Sequence, residues 1–445
     1  MAENRIDAEH KEERGIYMGK NRASVEAVLD RVKAAFADEP RLAQIFETCY
    51  TNTLDTTVKK MEDGTTHVIT GDIPAMWLRD STAQLRPYLI PAAEDEELAE
   101  LIAGLVRRQF KFICIEPYAN AFNEKPDGSC WEKDFPDQDP WVWEQKFEID
   151  SLCYPLQLAY LLWKNTGCTS QFDENFKKGA YSILEVFHTE QNHEERSAYR
   201  FERRHSFHTD TLSRDGKGAL TRPETGLIWS GFRPSDDSCV YGYLIPSNMF
   251  AWVALGYLSE IARAIYKDEE LAAKAEEMRA QVRDGIEKYA VIKTEEFGDI
   301  YAYEVDGYGQ CNLMDDANVP SLLSMSYLGY EPARPEVAEN TRRFLLSDAN
   351  PYYFHGKAAS GIGSPHTPSS YIWHIAMAME GLTESDKERK LEILRSLADC
   401  DGGTGMMHEG FHCDDPTKFT REWFSWANAM YAELLLSCLG IEVAR

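Results

Sequence analysis

The stretch Thr70-Gly71-Asp72-Ile73-Pro74-Ala75-Met76-Trp77-Leu78-Arg79-Asp80-Ser81 lies between two segments of helical pattern and crowds Asp72, Trp77, Arg79 and Asp80 into nine residues. An aromatic plate beside a bidentate cation and short carboxylates suits a ligand built of C–H faces and hydroxyl pairs, which is to say a sugar. A surface loop with a packed Trp and an ion pair would give the same letters. Recurrence decides between the two, because similar clusters stand at the ends of helical segments four more times.

Helical periodicity dominates the chain. Val25, Val28, Val32 and Phe36 share one face after Ser24, which can cap the segment before Pro40 stops it. Leu42, Ile45, Phe46, Cys49 and Leu54 mark the next segment. Further amphipathic runs cover about 81–91, 97–114, 150–165, 170–188, 246–266, 268–289, 317–328, 335–346, 367–381, 385–398 and 421–439. Asp150 reads as an N-cap with Gly167 past the end of its helix, Pro335 falls near an N1 position, and Gly440 follows Leu439. Strand signals are short: Thr65 to Thr70 reads as half of a hairpin, and Glu296 to Val305 supplies another. About a dozen helices with short connections, no repeat and no linker imply one closed α/α toroid over residues 1–445, whose helix-end loops gather at one mouth. The clusters scattered in sequence would meet there.

Composition narrows the partners. A formal charge of −27 argues against nucleic acid or an anionic membrane surface and suits a neutral substrate. Met1 to Lys20 is charged and lacks an apolar run of signal-peptide length, and nothing approaches a membrane span. The ten cysteines show no C-x-x-C and no zinc spacing, so reduced thiols and a cytoplasmic setting are expected.

The other clusters carry carboxylates. Trp141 and Trp143, at i and i+2 on an extended segment, would form a stacking wall, with Glu148 and the Asp150 cap following. In Ser230-Gly231-Phe232-Arg233-Pro234-Ser235-Asp236-Asp237-Ser238, Gly231 and Pro234 fix a loop bearing adjacent carboxylates. Like-charge proximity in a partly buried loop would raise one of them into a proton donor. Asp315 and Asp316 open the 317–328 segment, where capping competes with ligand binding. His408-Glu409-Gly410-Phe411-His412 has the i, i+4 histidines of a zincin, but its flanks read as loop, which favours Glu409 as a general base. Arg421, Trp423 and Trp426 open the final segment with the same chemistry as the first cluster.

Taken together, Gly71 to Gln84, Phe147 to Pro155, Ser230 to Met249, Met314 to Leu322, Gly361 to Pro368 and Thr404 to Asn428 resemble, in content and order, glycoside hydrolase family 125. Its characterised members are exo-acting α-1,6-mannosidases. The likeness runs from about Arg41 to Leu439. It implies an (α/α)6 barrel with short β-hairpin insertions, inversion of configuration, and no metal or other cofactor. It places the general acid on the Asp-Asp loop, at Asp236 with Asp237 as the alternative, and the general base on Glu409. Arg79 and Asp80 would hold the terminal mannose, with Trp77, Asp72, Glu148, Asp150, Arg233, Asp237, Asp315, His366 and His408 as further sugar-binding candidates. The expected partner is a manno-oligosaccharide of N-glycan or other origin, and the expected assembly a monomer or weak homo-oligomer. Two alternatives stand beside this: a sugar epimerase on the same toroid using paired histidines, and a zinc hydrolase using His408, Glu409 and His412.

Overall fold

The structure is a computed structural model that describes residues 22–445 except His205. The expectation for Met1 to Lys20 lies outside the described residues. After α1 (Ala23–Ala35), helices alternate in sequence between an outer and an inner position: α2 (Pro40–Asn52) and α3 (Leu78–Leu85), α4 (Glu96–Ile115) and α5 (Ile149–Thr166), α6 (Glu174–Glu190) and α7 (Ile245–Ile261). The alternation continues with α8 (Glu269–Tyr289) and α9 (Met325–Leu328), α10 (Pro335–Leu345) and α11 (His374–Leu382), α12 (Lys387–Asp399) and α13 (Ser425–Cys438). Inside, α3 packs on α5, α5 on α7 and α7 on α9, while α11 packs on α13 and α13 returns to α3. This is an (α/α)6 barrel, and its strands are two- and three-stranded insertions.

The two layers differ in how their sequences end a helix. Four of the six outer helices begin with an Asp cap: Asp95 accepts from Leu98 N–H, Asp173 from Phe176, Asp268 from Leu271 and Asp386 from Glu388, while α2 and α10 open on Pro40 and Pro335. The inner helices α3, α5, α7, α11 and α13 have no side-chain cap. All five follow directly on extended backbone, with Trp77, Leu244 and Trp373 ending the short strands before α3, α7 and α11. Their positive dipole ends therefore gather at the same mouth as the strand-bearing loops. Helices α7 and α13 are buried along nearly every turn, as helices surrounded by a core must be.

The Thr66–Val68 strand pairs with Val58–Lys60, and Gly298–Tyr301 with Val291–Thr294, so both expected hairpins are present. Gly167 ends α5 in the left-handed region and Pro335 opens α10. Three helix boundaries differ from expectation. Of 317–328 only Met325–Leu328 is helical, because Asp315 accepts from the N–H groups of Leu322 and Leu323 and holds that backbone in a loop. Strand Tyr371–Trp373 replaces the start of the 367–381 run. The last helix starts at Ser425 rather than 421, since Arg421 has φ +46° and Trp423 meets the first cluster. That meeting requires Gly71: at φ +134° a Cβ there would lie 2.7 Å from the Trp423 carbonyl oxygen. Ser24 sits inside α1 and donates to Asp95 instead of capping. Asp150 lies in the first turn of α5, with Glu148 at the cap position.

All ten cysteines are free thiols. Among the described residues no helix is long and apolar enough to cross a membrane.

Candidate active site

A cavity of about 730 Å³ opens at the mouth of the barrel. Its walls bring together Trp77, Arg79, Asp80, Asp236, Asp237, His366 and Glu409, drawn from three of the sequence clusters and the Gly361–Pro368 segment. The Asp236–Asp237 loop is stapled at its base by the Phe232–Ser238 bridge and by Cys239 N–H on the Gly231 carbonyl. Asp236 adopts φ +68° at the tip, a left-handed conformation that Asp tolerates better than most residues. Glu409 precedes strand Gly410–His412, which is held between Tyr371–Trp373 and Asp415–Thr420. It is 7% exposed and faces Arg421, whose Nη1 lies 3.8 Å away.

Arg79 organises the floor. Its Nη1 donates to Asp80 at 3.0 Å, its Nη2 to Glu148 at 3.1 Å and to Asp236 at 3.3 Å, and its Nε lies 3.4 Å from Asp150. Trp426 backs the guanidinium at 5.5 Å. One cation cannot neutralise four carboxylates in so dry a place, so protons stay bound in the cluster. Burial lifts Glu148 well above the usual carboxylate range despite Arg79, and lifts Asp150 to about 6. Asp236 goes the other way. Burial opposes its charge, but Arg79, Lys146 and a hydrogen bond from Glu148 outweigh that and hold it at about 2. We expect Arg79→Ala to destabilise the fold by about 3–5 kcal/mol, the cost of removing one partner from a buried ionic cluster. Lys cannot supply the same fork, so Arg79→Lys should also lose most turnover. Denaturant melts and steady-state rates check both, and wild-type turnover in Arg79→Lys would contradict the assignment.

His366 donates toward Asp237 at 3.1 Å. Burial disfavours its charge, yet the Asp237 hydrogen bond and the charges of Asp237, Glu409 and Asp236 raise it from 6.5 to about 9. The folded state therefore holds this proton more tightly than the unfolded chain. Its stabilisation is full below pH 6.5 and fades as pH rises through about 9. The gap in thermal midpoint between wild type and His366→Gln should follow that window, and a gap unchanged from pH 6 to pH 10 would contradict it.

The remaining candidates sit off the cavity wall. Glu148 and Asp150 lie beneath Arg79 and are buried. Asp72 grips Arg421 at the rim and so bears on Glu409 through it. Arg233 is locked to Glu304 at 2.6 Å, and Asp315 is spent on its backbone partners. His408 is turned away, its ring bonded to Thr404 and to the Glu422 and Asp401 carbonyls and stacked on Phe419 at 3.7 Å. His408 and His412 lie on loop and strand, not on one helical face, so the zincin arrangement is absent. Trp141 and Trp143 also part company. Trp143 lines the cavity beside Trp77, whereas Trp141 packs on Phe112.

The structure adds residues that periodicity does not mark. Lys146 donates to Asp210 at 2.6 Å and to the Asp236 carbonyl at 2.8 Å, and Asn120 donates to the Asp236 carboxylate at 3.2 Å. Buried Arg203 ties together Asp134, Glu144 and Asp210. Among the described residues, Trp77 Nε1, Trp143 Nε1, Asn318 Nδ2 and Asp237 Oδ2 have no hydrogen-bond partner, and all four residues line the cavity. Buried polar atoms are almost always paired, so these four suit a ligand rich in hydroxyls.

The family model described as metal-independent alpha-mannosidase (GH125) matches residues 39–436. The chain belongs to glycoside hydrolase family 125. A solved Streptococcus pneumoniae structure, described within a family of metal-independent alpha mannosidases and holding alpha-1,6-mannobiose in a non-productive complex, is 52% identical with a TM-score of 0.92. That match covers 95% of this chain and 99% of the other. The meiotically up-regulated gene 157 protein of Schizosaccharomyces pombe is 39% identical over 94% of this chain and 86% of its own. A glucoamylase from Saccharomycopsis fibuligera, at 12% identity and a TM-score of 0.59 over 95% and 97% of the two chains, shares the fold alone. This α-mannosidase is thus a glycosidase, and the epimerase alternative falls with that membership.

Proposed function

We propose that this family 125 α-mannosidase is an inverting, exo-acting α-1,6-mannosidase that removes terminal mannose from the non-reducing end of manno-oligosaccharides, including N-glycan fragments. The observation that carries it is the convergence of Asp236 and Glu409, from loops 173 residues apart, on one cavity floored by Arg79 and Asp80. The mannobiose complex of the Streptococcus pneumoniae relative supports the linkage. Asp236 is the general acid at the leaving oxygen, and Glu409 is the base that draws a proton from water on the opposite face of the sugar. Glu148 and Asp236 share Arg79 Nη2 at 3.1 and 3.3 Å, and burial favours the protonated form of Glu148, so Glu148 is placed to supply Asp236 with its proton. Trp77 and Trp143 flank the bound ring, and Arg79 acts by positioning Asp80, Glu148 and Asp236. Residues 1–445 work as one catalytic unit in the cytoplasm, with no metal.

The test is release of mannose from α-1,6-mannobiose against its 1,2-, 1,3- and 1,4-linked isomers, with and without EDTA. We expect the 1,6 isomer to be cleaved preferentially and EDTA to have no effect. Faster cleavage of another isomer would overturn the linkage, and activity lost to EDTA and restored by zinc would overturn the metal-free chemistry.

A further inference from the structure

The rim of the cavity carries two large apolar rings in water: Phe207 is 81% exposed and Trp131 is 63% exposed. Both line the cavity, together with Glu132, Ser206 and His208. Rings of this size exposed on the rim of a catalytic cleft call for a ligand. They are also well anchored. The Asp134–Phe135 strand, just past Trp131, pairs with Glu202–Arg203, just before Phe207. Buried Arg203 clamps the two segments through Asp134 at 2.7 Å and Asp210 at 3.0 Å.

Their position relative to the two carboxylates says which part of a substrate they meet. The Thr209 carbonyl accepts from Ser238 N–H at 2.7 Å, so the segment bearing Phe207 is tied directly to the Asp236 loop. Lys146 makes a second tie, bonding Asp210 and the Asp236 carbonyl together. Glu409 is carried by a separate segment, beside the strand Gly410–His412, and faces Arg421. In glycoside hydrolysis the general acid sits over the leaving oxygen, so the sugars beyond the cleaved bond depart on the acid's side. A chain whose terminal mannose fills the cavity must leave past Trp131 and Phe207.

Resting on the assignment of Asp236 and Glu409 above, we propose that Trp131 and Phe207 form a leaving-side platform that stacks the second and later departing sugars of a manno-oligosaccharide, making the enzyme prefer chains longer than a disaccharide. Each ring offers an apolar face to the C–H face of a pyranose, while Glu132, Ser206 and His208 offer partners to its hydroxyls.

The experiment compares kcat/KM on α-1,6-mannotriose and α-1,6-mannobiose for wild type, Trp131→Ala, Phe207→Ala and Trp131→Tyr. The wild type should favour the trisaccharide by about three- to tenfold, the worth of one good aromatic contact. Each Ala variant should pull that ratio toward one, and Trp131→Tyr should keep most of it, which a folding defect would not do. A wild-type ratio near one, or Ala variants with the wild-type ratio, would overturn the platform. An octyl α-mannoside favoured over a methyl α-mannoside as strongly as the trisaccharide is over mannobiose would overturn it in favour of an unspecific apolar rim. No mannose released from either oligosaccharide by the wild type would overturn the hydrolytic assignment, and the platform with it.

Discussion

Glu409→Gln is expected to lower kcat on α-1,6-mannobiose by about 10²–10⁴-fold, the usual contribution of a positioned general base. Gln fills the same space and still meets Arg421, which lies 3.8 Å from the Glu409 carboxylate, so folding should be unaffected. What is lost is the acceptor for the proton of water. An activated leaving group does not restore that acceptor, so a dinitrophenyl mannoside should be turned over as poorly as the natural sugar relative to wild type. The exception is a fluoride of the reversed anomeric form, which brings its leaving group to the other face. Normal turnover of the aryl mannoside by Glu409→Gln would assign the base elsewhere.

Asp236→Asn is expected to cause a loss of similar size on mannobiose, about 10²–10⁴-fold, but with the opposite dependence on leaving group. A dinitrophenolate or fluoride departs without a proton, so activity on those substrates should be largely retained. Asn also keeps an oxygen to accept from Arg79 and Asn120, the two donors that Asp236 meets at 3.3 and 3.2 Å. Asp237→Asn should be milder, because Asp237 is engaged with His366 at 3.1 Å rather than with the Arg79 cluster. The reverse ranking of the two variants on the two classes of substrate would move the acid to Asp237.

Much of this architecture is legible in the sequence where one local signal suffices. Most outer helices announce themselves by an Asp cap and one apolar stripe, as at Asp95, Asp173 and Asp268. The fully buried inner helices are legible as apolar runs, but their starts are not, because strands and packed loops set them. Ser425 begins α13 only because Trp423 lies against Gly71, a residue more than three hundred positions away. The carboxylate clusters stand out because polar residues interrupt periodic segments. Which of them face the cavity does not, since Arg233 and Asp315 carry the same letters as wall residues yet are consumed by Glu304 and by backbone N–H groups. The network of Lys146, Arg203 and Asp210 leaves no trace in spacing, because its members come from separate loops and are joined only by charge in the fold. His408 shows the converse, a residue conspicuous in a motif whose ring holds a loop together.

The central claim is that water attacks from the Glu409 side while Asp236 protonates the leaving oxygen on the other, in a single displacement. Proton NMR of the first product from α-1,6-mannobiose, recorded before mutarotation, tests it most directly. β-Mannose as the first anomer is the result predicted, and α-mannose as the first anomer would contradict it.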